Sequence, residues 1–224
     1  SHIYIDNMIS NLDIITDGVY EGTGGANIQQ VGGIIGNYSG SSLIFSNNLM
    51  YGKIQFNNIS GASGITNNIG GLLGMLDSSD GEVSVVHNKL FGDISIDDLD
   101  SYFIGGIVGQ ASASNIIFAN CNVHGGIVLD GRYNEVIGGL AGAIYGNNID
   151  VANSYSSGNI TVSTEAGIER VGGLIGEISG SDIQVSRVFS SGNVSNSFAD
   201  DCLDNVVEVC GYWAGGLIGR AGGD

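Results

Sequence analysis

The chain of 224 residues has no proline, six basic residues and three cysteines, and each shortage excludes something. Proline cannot donate a hydrogen bond to a β-ladder, so its absence suits a chain whose backbone amides lie mostly in sheets. With 23 acidic residues the formal net charge is −17, and no Lys/Arg cluster exists to neutralise phosphates. Nucleic acid is therefore a poor partner, and anionic membrane surfaces are disfavoured by the same argument.

Long apolar runs and a cysteine framework are absent as well. No apolar run exceeds six residues, so none spans a bilayer, and the first residues lack the pattern of a signal peptide. Three cysteines are too few for a disulfide framework and lack the spacing of zinc ligands. Cys202 and Cys210 could close a small loop or remain free thiols, and Cys121 has no obvious partner.

Glycine, by contrast, is abundant and periodic. The 39 glycines show no three-residue period, which excludes collagen, and an apolar content of 42% argues against disorder. Successive copies of an apolar-Gly-Gly-apolar-apolar-Gly hexapeptide are 38, 35, 33, 34 and 43 residues apart, which is typical of a repeat protein. The six copies are VGGIIG (31–36), IGGLLG (69–74), IGGIVG (104–109), IGGLAG (137–142), VGGLIG (171–176) and AGGLIG (214–219).

A second motif, Gly-x-Ile or Gly-x-Val, follows each of the first five copies. Its glycines lie 20 or 22 residues after the first Gly of the GG pair, whereas the return to the next pair varies from 13 to 23 residues. Stacked coils with one loop-bearing face have this pattern, so the inserts at 55–68 and 195–213 should project from the same side. The motif glycines are Gly52, Gly92, Gly125, Gly158 and Gly192.

Paired apolar residues in a common register predict the strands. Such pairs stand nine and seven residues before each second-motif glycine, and two and four residues after it. A spacing of two puts side chains on one face of a strand, so each unit is predicted to have three short strands: the GG, middle and Gly-x-Ile strands. Stacking the units buries their apolar rows. The predicted fold is an all-β, parallel β-solenoid, right-handed by the general crossover rule, with about six coils of about 34 residues.

One corner position of this unit is rich in asparagine. It lies five residues before the second-motif glycine, and two interpretations are open: a stacked Asn ladder, or ordinary turn-favouring Asn. The residues at this position are Asn47, His87, Asn120, Asn153 and Arg187.

The whole chain, 1–224, is predicted to form one repeat domain. A partial coil covers 1–30, further coils start near 31, 69, 104, 137 and 171, and a partial coil covers 214–224. Ile3 and Ile5 match the middle-strand pair, and Leu12 takes the glycine position. Both ends fall in mid-coil without an evident cap, so we expect a fragment of a longer repeat protein, with end-to-end stacking of chains as the alternative.

At these residues the chain resembles the GLUG repeat, whose unit runs from a Gly-Gly-Leu-Val-Gly core through a Ser-Gly turn to a Gly-Asn-Val close. Residues 171–195 (VGGLIGEISGSDIQVSRVFSSGNVS) and 137–162 match it well, whereas 1–30 and 195–213 fit poorly. The resemblance implies a repeat region of a large secreted bacterial protein, such as a hemagglutinin-like adhesin or the non-catalytic region of an IgA-cleaving metallopeptidase. The repeat motif carries no catalytic residue.

Candidate chemistry is confined to isolated histidines and acidic clusters. His2, His87 and His124 belong to no metalloprotease or nucleophile motif and are predicted to be turn or surface residues. No cofactor is expected except calcium, and the acidic clusters match no known calcium-binding loop. The other interpretation is that these acidic side chains are solvated on surface loops. The calcium candidates are Asp77, Asp80, Glu82, Asp97, Asp98 and Asp100. A carbohydrate-active enzyme would draw on the last three of these, with Lys53 or Lys89.

Both faces of the predicted GG strand are apolar. The first face should form one column in a parallel sheet: Ile34, Leu72, Ile107, Leu140, Leu174 and Leu217. Only one face can point into a hollow prism, so the second must be covered by the chain's own strands, a neighbouring chain or a parent protein. This second row is a candidate association face, and it consists of Ile35, Leu73, Val108, Ala141, Ile175 and Ile218.

These features favour a non-catalytic repeat module of a secreted or cell-surface adhesin, acting in attachment or as a rigid stalk. The expected partners are a host or surface glycan or protein, or neighbouring repeats of the same protein. One alternative is a carbohydrate-active β-helix enzyme or carbohydrate-binding module. Another is a self-assembling extracellular fibre subunit, which would need two complementary uncapped ends.

Overall fold

The computed structural model describes residues 3–17, 30–57, 68–97, 103–131, 136–164, 169–198 and 212–223, as strands and the short bends between them. The strands form four parallel sheets. Pairing recurs at about 34 residues, as between Ala141 and Ile175, so the chain is an all-β parallel β-solenoid and the predicted fold class is confirmed. Within these ranges no helix has the length and apolar character needed to cross a membrane. The handedness stays a prediction.

Two of the sheets contain the residues of the hexapeptide. The GG sheet is formed by β4 (Gln30–Gly32), β9 (Asn68–Gly70), β13 (Phe103–Gly105), β17 (Val136–Gly138), β21 (Glu169–Gly172) and β25 (Tyr212–Gly215). The long sheet is formed by β1 (Ile3–Asp6), β5 (Ile35–Ser39), β6 (Ser42–Ser46), β10 (Leu73–Val86), β14 (Val108–Ala119), β18 (Ala141–Ala152), β22 (Ile175–Ser186) and β26 (Ile218–Gly222). Strands β5 and β6 both pair with β10, so they share one level of the stack.

The other two sheets contain the second half of each coil. The two-residue sheet is formed by β2 (Ile9–Ser10), β7 (Leu49–Met50), β11 (Lys89–Leu90), β15 (Asn122–Val123), β19 (Tyr155–Ser156) and β23 (Phe189–Ser190). The Gly-x-Ile sheet is formed by β3 (Ile14–Asp17), β8 (Ile54–Asn57), β12 (Ile94–Asp97), β16 (Ile127–Gly131), β20 (Ile160–Thr164) and β24 (Val194–Phe198).

The predicted register of apolar pairs is confirmed. In the middle-strand position Leu43 pairs with Val83, and the same column continues through successive coils. In the Gly-x-Ile sheet Ile54 pairs with Ile94 in the same way. The first half-coil also follows the prediction, since Ile3 pairs with Leu43. The apolar rows predicted from the sequence are therefore rows in space.

Each coil has four strands rather than the predicted three, and the GG pair is a corner rather than the middle of a strand. Strand β9 ends at Gly70, Gly71 and Leu72 form a bend, and β10 begins at Leu73. The fourth strand is the two-residue strand, which is too short to show an apolar period. The predicted column at the bend is confirmed, since each amide donates to the carbonyl of the next coil along Ile34, Leu72, Ile107, Leu140, Leu174 and Leu217.

Glycine is required at this corner because backbones approach closely there. A Cβ on Gly105 would lie 2.0 Å from the carbonyl oxygen of Val108 on the long strand that follows it. A Cβ on Gly106 would lie 2.2 Å from the carbonyl oxygen of Gly139 in the next coil. Both distances are far below van der Waals contact, so no side chain fits without moving the backbone.

The corner turns both apolar rows of the hexapeptide into one core. Leu72 and Leu73 are adjacent in sequence and both are fully buried. The second row is buried as predicted: Leu73, Val108, Ala141 and Ile175 are fully buried, and Ile35 and Ile218 are partly buried against the same core. The prediction that this row is an association face was wrong, because these residues belong to the chain's own interior.

The corner after the long strand has left-handed backbone in every described coil. Its φ angles lie between 50° and 58° at Asn7, Asn47, His87, Asn120, Asn153 and Arg187, so asparagine here is the turn-favouring residue. A buried pair of asparagines lies one residue further along the chain, in two successive coils. Asn48 and Asn88 are fully buried, and the backbone amide of Asn48 donates to the Asn88 Oδ1 at 3.0 Å.

Candidate binding groove

Exposed rings stack at the corner between the two-residue sheet and the Gly-x-Ile sheet. The position directly before the second-motif glycine holds Tyr51, Phe91 and His124 in three successive coils. The ring centroids of Tyr51 and Phe91 are 4.9 Å apart with planes 7° from parallel, and those of Phe91 and His124 are 4.9 Å apart at 10°. Because the coils are in register, one ring in each coil builds a continuous column.

The column shifts sideways in the next coil, where Ser157 takes the ring position. Tyr155, two residues earlier, continues the stack: its centroid lies 5.4 Å from that of His124, edge-on at 77°, and 4.9 Å from the parallel ring of Phe189. The His124 Nε2 lies 3.0 Å from the Tyr155 hydroxyl and its Nδ1 lies 3.2 Å from the Ser157 Oγ. Because serine has no ring, the column that runs through Tyr51, Phe91 and His124 ends at His124.

Polar side chains occupy the position directly after the second-motif glycine. The Oδ1 of Asp93 accepts a hydrogen bond from the Gly126 amide at 2.7 Å, and the Oδ1 of Asn159 accepts one from the Asn193 amide at 3.0 Å. Each side chain is thus fixed to the next coil through one oxygen. The remaining polar atom of each, the Asp93 Oδ2 or the Asn159 Nδ2, has no hydrogen bond within the described part of the chain.

An open groove of about 650 Å³ lies beside the ring column and crosses four coils. Its apolar lining includes Val128, which is 49% exposed on the surface of the Gly-x-Ile sheet. Its polar lining consists of Lys53, Gln55, Asp93, Ser95, His124, Ser157, Asn159 and Thr161. The lining is thus mainly polar, with one exposed aliphatic side chain, Val128, and one ring, His124. This groove is the candidate functional site.

A separate charged cluster involves the GG sheet and the long sheet. The buried Glu177 carboxylate is 3.1 Å from the Nη1 of Arg170 and 3.3 Å from that of Arg220, and it accepts the Tyr145 hydroxyl at 3.0 Å. The guanidinium carbons of Arg170 and Arg220 both lie over the Trp213 ring, 5.6 and 5.9 Å from its centroid. Burial, with the charge and hydrogen bond of Glu177, raises the pKa of Tyr145. The cluster neutralises a buried carboxylate.

The acids predicted to hold calcium do not assemble into a site within the described residues. Asp77 and Glu82 both belong to the long strand β10, whose pairing register shifts between Ser78 and Glu82. Asp97 ends β12 and pairs with Asp130. No three His, Cys, Asp or Glu side chains of the described ranges could hold a metal together. The side chain of Asp80 and the whole of Asp98 and Asp100 lie outside what the structure describes.

The remaining predicted residues have separate locations. Cys121 is fully buried as a free thiol, and burial raises its pKa to about 12. Cys202, Cys210 and His2 lie outside the described residues, as do most of the two inserts. Lys53 lines the groove, whereas Lys89 is exposed in the two-residue sheet. Of the two histidines that the structure describes, His87 and His124, the second lines the groove.

The groove was missed in the sequence although one signal for it was present. Tyr51, Phe91 and His124 share an offset of one residue before the second-motif glycine, so they could have been aligned as a ring column. The sideways step to Tyr155 breaks that offset. Glu177 and Arg220 each directly follow a hexapeptide, so the register could have paired them. Arg170 reaches Glu177 across the GG corner, which the sequence did not predict.

Comparison of the chain with protein-family models, with curated proteins and with solved structures gives no match. The GLUG resemblance therefore depends on the repeat residues alone.

Proposed function

We propose that the chain is a non-catalytic repeat module of a secreted or cell-surface adhesin that acts in attachment. The observation that carries this proposal is the groove and ring column on one side of a solenoid whose coils are in register. Parallel ladders join each coil to its neighbours, so residues from four coils keep fixed relative positions. A site built across such ladders is pre-organised for an extended ligand.

The sequence supports the same location and role. The GLUG-like repeat is typical of extracellular bacterial surface proteins, and a net charge of −17 keeps such a module soluble. The partner would be a glycan or protein on a host or another surface. A stack of coils could also act as a rigid stalk that holds the groove away from the cell, so one module could serve both attachment and spacing.

Binding is favoured over catalysis by the chemistry of the groove. Glycoside hydrolysis usually needs two carboxyl groups about 5 to 9.5 Å apart. The described lining contributes one carboxylate, Asp93, and its Oδ1 is already bound to the Gly126 amide. The His124 and Ser157 side chains are within hydrogen-bonding distance of each other, but the second nitrogen of His124 contacts a phenol rather than the carboxylate of a triad.

The test is an adhesion assay under flow. Beads coated with the chain and beads coated with an unrelated acidic protein are passed over epithelial cells, immobilised mucin and immobilised matrix proteins. Specific retention of the first beads on at least one surface is expected. Equal retention of both bead types on every surface would contradict attachment. Release of reducing ends from polysaccharides by the chain would contradict the non-catalytic assignment.

A further inference from the structure

Gly126 is a glycine that neither backbone conformation nor packing requires. Its φ lies outside the left-handed region, and a Cβ there would lie 3.2 Å from the Asn159 carbonyl oxygen, so the neighbouring coil would have to move by a few tenths of an ångström. By contrast, a Cβ on Gly125 would lie 1.8 Å from the Gly92 oxygen. The same column carries side chains in the other coils, at Asp13, Lys53, Asp93, Asn159 and Asn193.

The missing side chain leaves a slot in the middle of the groove. The neighbours of Gly126 in its column are Asp93 on one side and Asn159 on the other, two coil spacings or about 10 Å apart. The slot is flanked by Asp93, whose Oδ1 accepts the Gly126 amide, and by Asn159, whose Oδ1 accepts the Asn193 amide; both side chains line the groove. His124 and Val128, two residues before and after Gly126, give the groove ring and aliphatic surface.

We propose that this slot binds one unit of an uncharged saccharide. A sugar ring presents an apolar C–H surface together with hydroxyls that both donate and accept hydrogen bonds. The slot offers the matching set: ring and aliphatic surface for the C–H groups, a carboxylate oxygen and an amide nitrogen for the hydroxyls, and the exposed hydroxyl of Thr161. The inference rests on the proposed attachment function and names the ligand class of that same groove.

Charge and backbone pairing argue for this class over others. The positive charge of Lys53 offsets the negative charge of Asp93 within the groove, and the chain's net charge of −17 opposes an anionic ligand. A peptide that binds by strand addition needs a free sheet edge. The Gly-x-Ile strands under the groove are paired on both sides, in the order β8, β12, β16 and β20, so they offer no such edge.

The decisive variant is Gly126→Asn. Asparagine already occupies this column at residues 159 and 193, so the fold should accept it, while its amide fills the slot. The second variant is Asp93→Asn, which keeps an oxygen for the Gly126 amide and replaces the free acceptor by a donor. The control is Asn193→Ala, which changes the same column outside the groove lining.

The measurement uses an array of neutral oligosaccharides of glucose, galactose, mannose and N-acetylglucosamine, with sialylated and sulfated analogues, followed by titration calorimetry on the best neutral ligand. We expect the parent chain to bind a neutral glycan, Gly126→Asn and Asp93→Asn to weaken binding at least tenfold, and Asn193→Ala to bind within twofold. Denaturation midpoints close to that of the parent would show that the variants fold. NMR shifts caused by the ligand should centre on His124, Gly126 and Val128.

Three outcomes overturn the proposal: no neutral glycan bound at millimolar concentration, a preference for the acidic analogues, or unchanged binding by Gly126→Asn. The bead assay separates these from failure of the attachment function. Beads carrying Gly126→Asn that adhere as well as the parent would leave attachment standing and remove the slot from it. If one of these three outcomes is found and beads carrying the parent chain do not adhere either, both the slot and the attachment function are wrong.

Discussion

The side chains of Asn48 and Asn88 are hydrogen-bonded to each other, Nδ2 to Oδ1 at 3.0 Å, and both are fully buried. The same Asn88 Oδ1 accepts the backbone amide of Asn48, and its Nδ2 donates to the carbonyl oxygen of Phe45 at 2.9 Å. One side chain thus satisfies two backbone groups of the preceding coil at a corner where the strand ladder is interrupted. Buried polar groups at such a corner are costly unless they are paired.

We therefore predict that Asn88→Ala lowers the free energy of unfolding by about 2 to 4 kcal/mol, because it leaves buried backbone groups without partners. The matched control is Asn148→Ala. Its Nδ2 also donates to an asparagine, Asn115 at 2.7 Å, but this pair is exposed, and the loss should stay below about 0.5 kcal/mol. Urea denaturation measures both. Equal losses in the two variants would show that burial does not set the contribution of these pairs.

The corner glycines provide a second matched pair. A Cβ on Gly106 would collide with the Gly139 carbonyl oxygen, whereas one on Gly216, the same position in another coil, has no heavy atom within 4 Å. Gly106→Ala should lower stability by more than about 3 kcal/mol, and Gly216→Ala should change it by less than about 1 kcal/mol. Thermal and urea denaturation of the two variants test this. A tolerated Gly106→Ala would mean that the coils can separate locally at little cost.

The coils could be predicted from the sequence because their apolar pairs obey a strict period. Leu43 and Phe45 recur as Val83 and Val85 at a fixed distance from the next glycine, and in-register stacking is the arrangement that buries all such rows together. The GG corner could not be predicted by the same method. An alternating apolar pattern is the same whether the chain runs straight or folds back, and the fold-back depends on close backbone contacts that Gly105 and Gly106 allow.

The groove was less predictable than the fold for a related reason. Side chains on the outer surface obey no apolar period, so the ring column is visible only after the coils have been aligned. Even then the space at Gly126 needs coordinates, because in sequence it is one more glycine beside Gly125. Gly125 and Gly126 differ in how near the backbone of a neighbouring coil lies.

Ser156 offers a stabilising substitution. Its side chain is fully buried and its Oγ has no hydrogen-bond partner in the described ranges. The equivalent residue one coil earlier is Val123, which packs against Gly106 as Ser156 packs against Gly139. Ser156→Val should raise the free energy of unfolding by about 1 kcal/mol, because it removes an unpaired hydroxyl and fills the same space with apolar atoms.

The control for this substitution is Ser154→Val. The Ser154 Oγ donates to the Ala152 carbonyl oxygen at 2.9 Å and accepts the Cys121 amide at 3.1 Å, so its loss should cost about 1 to 3 kcal/mol. Denaturant midpoints of the two variants should move in opposite directions. A destabilised Ser156→Val would indicate that the hydroxyl has a partner, such as ordered water.

Cys121 should make stability depend on pH in the alkaline range. Burial raises the pKa of its thiol from 9.0 to about 12, so the folded chain holds this proton more tightly than the unfolded chain does. The resulting stabilisation is present in full well below pH 9 and is lost as the pH rises from 9 toward 12, with on the order of 1 kcal/mol lost by pH 10. Urea denaturation at pH 7, 8, 9 and 10, in a Cys202→Ser, Cys210→Ser background, measures this loss. Adding Cys121→Ala should flatten the curve between pH 8 and 10, and an equally steep curve in that variant would show that another group is responsible.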